Sequence, residues 1–155
     1  IGLGIPAERS SILASADLAI NNQNSIIIGA EPFANGVAAL LSSITNESDN
    51  TVLPEYKNIR IYPDDVRLLL QDFQNTKFAQ IWILHPDPWP KARHEKRRLL
   101  NKDFLNLLSN HLANDGQIII GTDHWEYYDW IIEQLKETKL KITSTSLDII
   151  KTDIK

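Results

Sequence analysis

Three short apolar runs constrain this chain more than anything else in it: SIIIGA at 25–30, FAQIWIL at 78–84 and QIIIGT at 117–122. Each is short for a helix and too continuously apolar for a strand with one wet face. Each therefore reads as a strand covered on both sides, the habit of parallel sheets. NIRIY at 58–62 and KITSTSL at 141–147 are weaker strand candidates. Between the runs, apolar residues recur at helical spacing. Residues 8–19 place Ile12, Leu13, Ala16 and Ala19 on one face, and 37–44 place Val37, Leu40, Leu41 and Ile44 on another. Residues 64–73 open with two acids and present Val66, Leu69, Leu70 and Phe73. Residues 103–112 run on Phe104, Leu107, Leu108 and Leu112, then stop at Asn114, Asp115 and Gly116, which reads as a helix C-terminal signal. Residues 123–140 stack Trp125, Tyr128, Ile132 and Leu135. Strand and helix thus alternate along the chain, which predicts a doubly wound, Rossmann-like α/β fold with helices on both faces of a parallel sheet. The chain's 155 residues suit one domain over 1–155. The one long surface loop expected is 46–57.

Composition narrows the function classes. Cysteine is absent, which excludes disulfides, thiol nucleophiles and thiolate-bound zinc, and the four histidines lack a metal-ligand spacing, so no metal is expected. No apolar run reaches the ~18 to 20 residues of a membrane span, which leads to the expectation of a cytoplasmic protein without a membrane partner. A monomer is the default expectation. Methionine is also absent and the sequence opens at Ile1 in what reads as a strand end, so a chain incomplete at both termini is expected. The formal charge is −4 and the pI about 5.5, so any affinity for nucleic acid must come from a local patch.

Such a patch exists. HPDPWPKARHEKRR at 85–98 comes directly after an apolar run and carries five Lys or Arg in its last eight positions. In open α/β sheets ligands gather at the carboxyl ends of the strands, and Asp87 stands at such an end, held between prolines and beside Trp89. A solvated helix face is the ordinary fate of a charge run, but here the cations adjoin that acid. Several phosphate contacts from one loop would give sequence-independent affinity for a polynucleotide. Other strand ends also carry acids. Glu31 comes after SIIIGA, where a carboxylate can take the ribose hydroxyls of a nucleoside cofactor or simply begin a helix. Asp64 and Asp65 could accept from an adenine amine or cap a helix, and Asp123 is a candidate ligand contact or N-cap. IGLG at 1–4 has the form of a strand entering a glycine turn, with Gly2 and Gly4 letting a cofactor approach the backbone; Pro6 stands where a phosphate-binding fingerprint has a small residue. The aromatics Trp125, Tyr127, Tyr128 and Trp130 read as helix packing and rim more than as a base platform.

In this order, IGLG, GAE, NIRIYPDDV, HPDPWPKARHEKRR and GTDHWEYY resemble the bacterial tRNA (guanine-N7-)-methyltransferases, which are class I S-adenosylmethionine-dependent enzymes. The likeness runs from about residue 1 to about residue 135, and its PDPWPKARHEKRR element is highly specific. The resemblance implies the class I methyltransferase sheet, S-adenosyl-L-methionine as cofactor, tRNA as partner and methylation of guanine N7 in its variable loop. It implies that Glu31 holds the cofactor ribose, Asp65 the adenine, and that Asp87 is the catalytic position beside the methyl group. By the same resemblance Lys91 and Asp123 contact the substrate, and Arg93, His94, Lys96, Arg97 and Arg98 form the RNA-binding segment. Guanine N7 carries no proton, so its methylation requires no general base; a fixed carboxylate can instead orient the base and support its growing positive charge. Two alternatives stay open at this point: an amino-directed nucleic-acid methyltransferase, because PDPW loosely resembles an Asp-Pro-Pro-aromatic element, and a non-catalytic RNA-binding scaffold.

Overall fold

In the computed structural model, which describes residues 11–145, the chain divides into two units between Gln74 and Asn75. The first contains helix α1 (Ala14–Asn21), strand β1 (Ile27–Ala30), helix α2 (Ala34–Ile44), strand β2 (Ile59–Tyr62) and helix α3 (Val66–Asp72). β1 and β2 pair in parallel, from Ile27 opposite Ile59 to Ala30 opposite Tyr62. A parallel pair needs a crossover, and α2 with the segment after it supplies one. Ile12, Ala16 and Ala19 pack with Leu40, Ile44 and Ile59 into the core of this unit, the faces expected from spacing. Leu41 does not join them: helix α2 buries the row through Leu40 and Ile44, and its neighbour, one helical step around, faces out. Residues 46–57 are less loose than expected. Thr45 and Val52 form an antiparallel bridge, and Pro54–Tyr56 a short 3-10 helix.

Asn58, buried just before β2, ties the unit's turns together. Its amide nitrogen lies 3.1 Å from the Ala19 and Asn22 carbonyls and 3.0 Å from that of Ser25, donating to the end of α1 and to the turn leading into β1.

The second unit contains strand β3 (Phe78–Leu84), a 3-10 helix (Ala92–Arg97), helix α4 (Lys102–Asn110), strand β4 (Leu112–Gly121) and helix α5 (Trp125–Lys136). β3 and β4 are also parallel, so all pairing between these strands fits the Rossmann-like α/β reading. Helix α4 ends sooner than its sequence suggests. The His111 N–H bonds back to the Leu108 carbonyl, and pairing with β3 begins at once through Phe78 N–H to the His111 carbonyl. The expected stop signal at Asn114–Gly116 lies instead inside β4, in an irregularity where Phe78 faces Leu112 but Gln80 already faces Gln117. A side chain at Gly116 would stand 2.7 Å from Leu112 Cγ and 2.9 Å from the Ala113 carbonyl, so the chain can fold back on itself there only with glycine.

Helix α5 is rotated relative to its expected face and ends at Lys136. Tyr127, Ile131 and Leu135 are buried, whereas Trp125 is 64% exposed. The reason is polar as much as apolar: the Tyr127 hydroxyl accepts from the buried Leu100 N–H at 3.2 Å, which turns that face inward. Lys102 then joins α4 to α5 through its N–H to Gln134 and its ammonium to Glu137, each at 2.9 Å. Of the expected strand at 141–147, residues 141–145 form none and the rest lie outside the described residues, as do IGLG with Gly2 and Gly4 and the start of the first helix. No helix among the described residues is long and apolar enough to cross a membrane. Replacing Tyr127 by Phe leaves the Leu100 N–H buried without a partner and should cost about 1 to 3 kcal/mol, read as a lower thermal midpoint; an unchanged midpoint would show that the bond is dispensable.

Candidate active site

Each parallel pair delivers acids at its carboxyl end. In the first unit the ladder runs one step past β1, with Glu31 N–H donating to the Tyr62 carbonyl at 3.0 Å. This places Glu31 beside the chain that continues into Asp64 and Asp65. Glu31 Oε1 accepts from the Phe33 N–H at 3.0 Å, and the carboxylate lies over the first turn of α2. A Cβ at Gly36 would stand 2.6 Å from both Cδ and Oε2 of Glu31, so glycine there makes the seat for the carboxylate. The helix-start role and a ligand role are compatible, because Oε2 takes no hydrogen bond among the described residues.

Asp65 is more heavily engaged. It caps α3, its Oδ1 accepting from the Arg67 N–H and from Arg67 Nε, both at 2.8 Å, while Oδ2 pairs with Arg67 Nη2. The side-chain bond from Arg67 holds the Asp65 carboxyl below its usual range, reinforced by the backbone bond and the guanidinium charge and opposed by partial burial. The carboxylate is nevertheless one-third exposed and retains lone-pair capacity for one more donor. Asp64 turns to the backbone, accepting from the Asp65 N–H at 2.7 Å.

In the second unit, β3 leads into His85, whose N–H extends the ladder to the Gly121 carbonyl at 2.8 Å. His85 has φ of +50° and Trp89 φ of +41°, so two non-glycine residues in the left-handed region flank exposed Asp87. Backbone of this kind costs of order 1 to 3 kcal/mol per residue and persists only where the surroundings over-determine it. Here they do. Arg98 is only 3% exposed; its Nε donates to the Pro88 carbonyl at 2.7 Å and its Nη2 to that of Trp89 at 3.4 Å. The guanidinium sits 5.4 Å from the Tyr127 ring centre and 5.1 Å from that of Trp130, with Glu95 at 3.8 Å from Nη1. The Trp89 ring meets His94 edge-on at 5.7 Å and carries Arg97 over its face at 5.1 Å.

Asp123, at the end of β4, is 74% exposed, with Oδ1 3.9 Å from His85 Nδ1. The N-cap role weighed for Asp123 falls to the next residue: His124 Nδ1 accepts from the Tyr127 N–H at 3.4 Å, which leaves the Asp123 carboxylate uncommitted to the helix. Of the aromatics, Tyr127 and Trp130 are packing, as expected, while Trp125 meets Tyr128 at 5.9 Å and is largely exposed.

The resemblance groups Arg98 with the cations facing RNA; in the structure Arg98 is buried and makes its carbonyl and ring contacts within the protein. Sequence reasoning also misses Gly36, Arg67, His85 and His124. The i,i+2 spacing of Asp65 and Arg67 is a legible capping signal; the left-handed backbone at His85 has none. Burial pushes the Tyr127 phenol up, opposed by the bond from the Leu100 N–H and the charge of Arg98, while the charge of Asp87 adds a smaller upward push. Among the described residues no group of three or more His, Asp or Glu is placed to hold a metal ion.

The family model described as "Putative methyltransferase" matches residues 11–154. The chain is 39% identical over 118 residues to a tRNA (guanine-N(7)-)-methyltransferase of Wolbachia pipientis wMel, covering 76% of this chain and 50% of that protein. It is 36% identical over 129 residues to the protein of the same name from Neorickettsia sennetsu, covering 83% and 56%. With that of Mesomycoplasma hyopneumoniae it shares 34% over 134 residues, covering 86% and 63%. The chain thus spans about half the length of the first of these relatives.

Asp65 stabilises the fold as a carboxylate whose folded pKa is depressed. That contribution is fully present above its usual value of 3.8 and is lost as the pH falls through the lower folded value. In Arg67→Met the carboxyl resonance of Asp65 should titrate at higher pH than in the parent. An unmoved titration would mean that Arg67 does not hold it down.

Proposed function

The chain belongs to the methyltransferase family whose model it matches, and from that premise we propose that it methylates N7 of a guanine in tRNA, using S-adenosyl-L-methionine. The variable-loop guanine is the proposed position, the cytoplasm the setting and a monomer the working unit, with residues 1–155 acting as one methyltransferase domain. The observation that carries this reading is the over-determined loop around Asp87: a rigid, exposed acid at a strand end, joined to a basic 3-10 helix. A solvated surface turn has no use for a buried arginine that holds two of its carbonyls. The relatives' names support the substrate and the chemistry.

The residues present fit the cofactor. Glu31 offers Oε2 over the glycine seat at Gly36, suited to a ribose diol, and Asp65 keeps acceptor capacity for an adenine amine. Gly2 and Gly4 are proposed for the same cofactor. When bound, S-adenosyl-L-methionine supplies a methyl carbon on a positively charged sulfur. The protein's share is placement and charge. Asp87 accepts hydrogen bonds from guanine N1 and N2, holding the ring so that the N7 lone pair faces the methyl group. As the purine becomes positive, the fixed carboxylate of Asp87 is worth more, which lowers the barrier without moving a proton. Lys91 and Asp123, both exposed, are proposed to complete the substrate contacts.

In full-length protein, Asp87→Ala should lower single-turnover methylation of tRNA by roughly 10²-fold, the lower end of the scale for losing one preorganised electrostatic contact to the transition state. Near-normal turnover would sink the assignment. Methylated tRNA should break at the modified guanosine after borohydride and aniline; resistance to cleavage would point to an amino-directed enzyme instead. Gly36→Ala should displace the Glu31 carboxylate and weaken binding of S-adenosylhomocysteine in calorimetry about as much as Glu31→Ala does. Parent-like heat from Gly36→Ala would dismiss the seat.

A further inference from the structure

We propose that the basic run after Asp87 is divided by the three-residue period of its helix into cations that hold the loop and cations that hold RNA. The inference rests on the tRNA reading above and assigns a positioning role to Arg98. In a 3-10 helix, residues i and i+3 lie above one another, so Ala92–Arg97 presents three rows. His94 and Arg97 form one row, and both meet the ring of Trp89. Glu95 belongs to the next row, and Arg98, the extended residue that caps the helix just past its end, pairs with Glu95 and turns inward to the Pro88 and Trp89 carbonyls and the Tyr127 and Trp130 rings. Arg93 and Lys96 form the third. Both are exposed, and neither side chain has a protein partner among the described residues.

The division comes from the chemistry of each row. A guanidinium that is buried, ringed by two aromatics and bonded to two carbonyls cannot leave for a phosphate without stripping its own loop. A solvated cation without a partner loses little on meeting an anion. Arg93 and Lys96, with Lys91 at the start of the helix, therefore supply the counterion-releasing contacts to the RNA backbone. Arg98 acts through Asp87: it holds the carbonyl of the residue after Asp87 and the next one along, so the acid is presented in one geometry, and RNA bound to the outer row rests on the same short helix that sets the base.

The test compares salt dependence with rate in the full-length protein, using tRNA as the probe. Lys96→Ala should reduce the slope of log affinity against log salt by about one, as expected for one lost phosphate contact. Arg98→Lys should keep the parent's slope while lowering single-turnover methylation at saturating tRNA about tenfold or more. Because losing the guanidinium can cost the fold, Trp130→Leu is the companion variant: it keeps Arg98 but weakens its seat, and should show the same pattern more mildly. Whichever of the two folds decides. A reduced slope with parent-like rate in either one overturns the division, as does a parent-like slope in Lys96→Ala. A parent protein that binds tRNA but transfers no methyl group would instead defeat the proposed function, leaving the division to be judged on the slopes.

Discussion

Two parallel ladders, Ala30 opposite Tyr62 and Leu84 opposite Gly121, decide where the candidate groups of each unit stand. The facing backbone groups of each pair satisfy one another, and the candidate acids stand just past the carboxyl ends of the strands. Each ladder then runs one step further, at Glu31 N–H to Tyr62 and at His85 N–H to Gly121. Those last bonds aim the chain just before it leaves the sheet. Glu31, Asp64, Asp65, Asp87 and Asp123 all lie within a few residues of them.

Beyond the ladders, the two units hold their acids in different ways. Glu31 and Asp65 are set by helix starts, one over the glycine of α2 and the other at the cap of α3, with local backbone N–H groups positioning them. Among the described residues no helix start does this for Asp87. It sits between residues with left-handed backbone at His85 and Trp89, and the order of that loop comes from side chains further along the chain: Arg98 on the carbonyls, His94 and Arg97 on the indole, Tyr127 and Trp130 around the guanidinium. The difference is physical. A helix N-terminus offers free donors wherever it occurs, whereas an exposed loop must borrow its rigidity from a packed neighbour.

Much of this is legible in the residues. The apolar runs at 25–30, 58–62 and 78–84 form β1, β2 and β3 within a residue or two, because a buried strand leaves a local pattern. Asp87 lies past a strand end, as its place after FAQIWIL implies. The failures cluster where two local signals compete. Asn114, Asp115 and Gly116 look like a helix stop, but pairing with β3 has already claimed the chain at His111, and the glycine serves a fold-back within β4. Spacing in α5 nominates Trp125 and Tyr128, but the bond between Tyr127 and Leu100 selects the adjacent face.

The basic run marks the boundary between the two kinds of information most sharply. Composition and order are enough to say that a strand ends, that a rigid acid comes after it and that cations come next, since each is a property of neighbouring residues. Which cation faces solvent is beyond them. Lys96 and Arg98 are two positions apart and alike in charge, yet one is exposed and the other is 3% exposed beneath the loop it holds. The short helix and the extended residue that caps it set their directions, but the aromatics of a helix some thirty residues later determine which direction is inside, and that pairing exists only once the chain has folded.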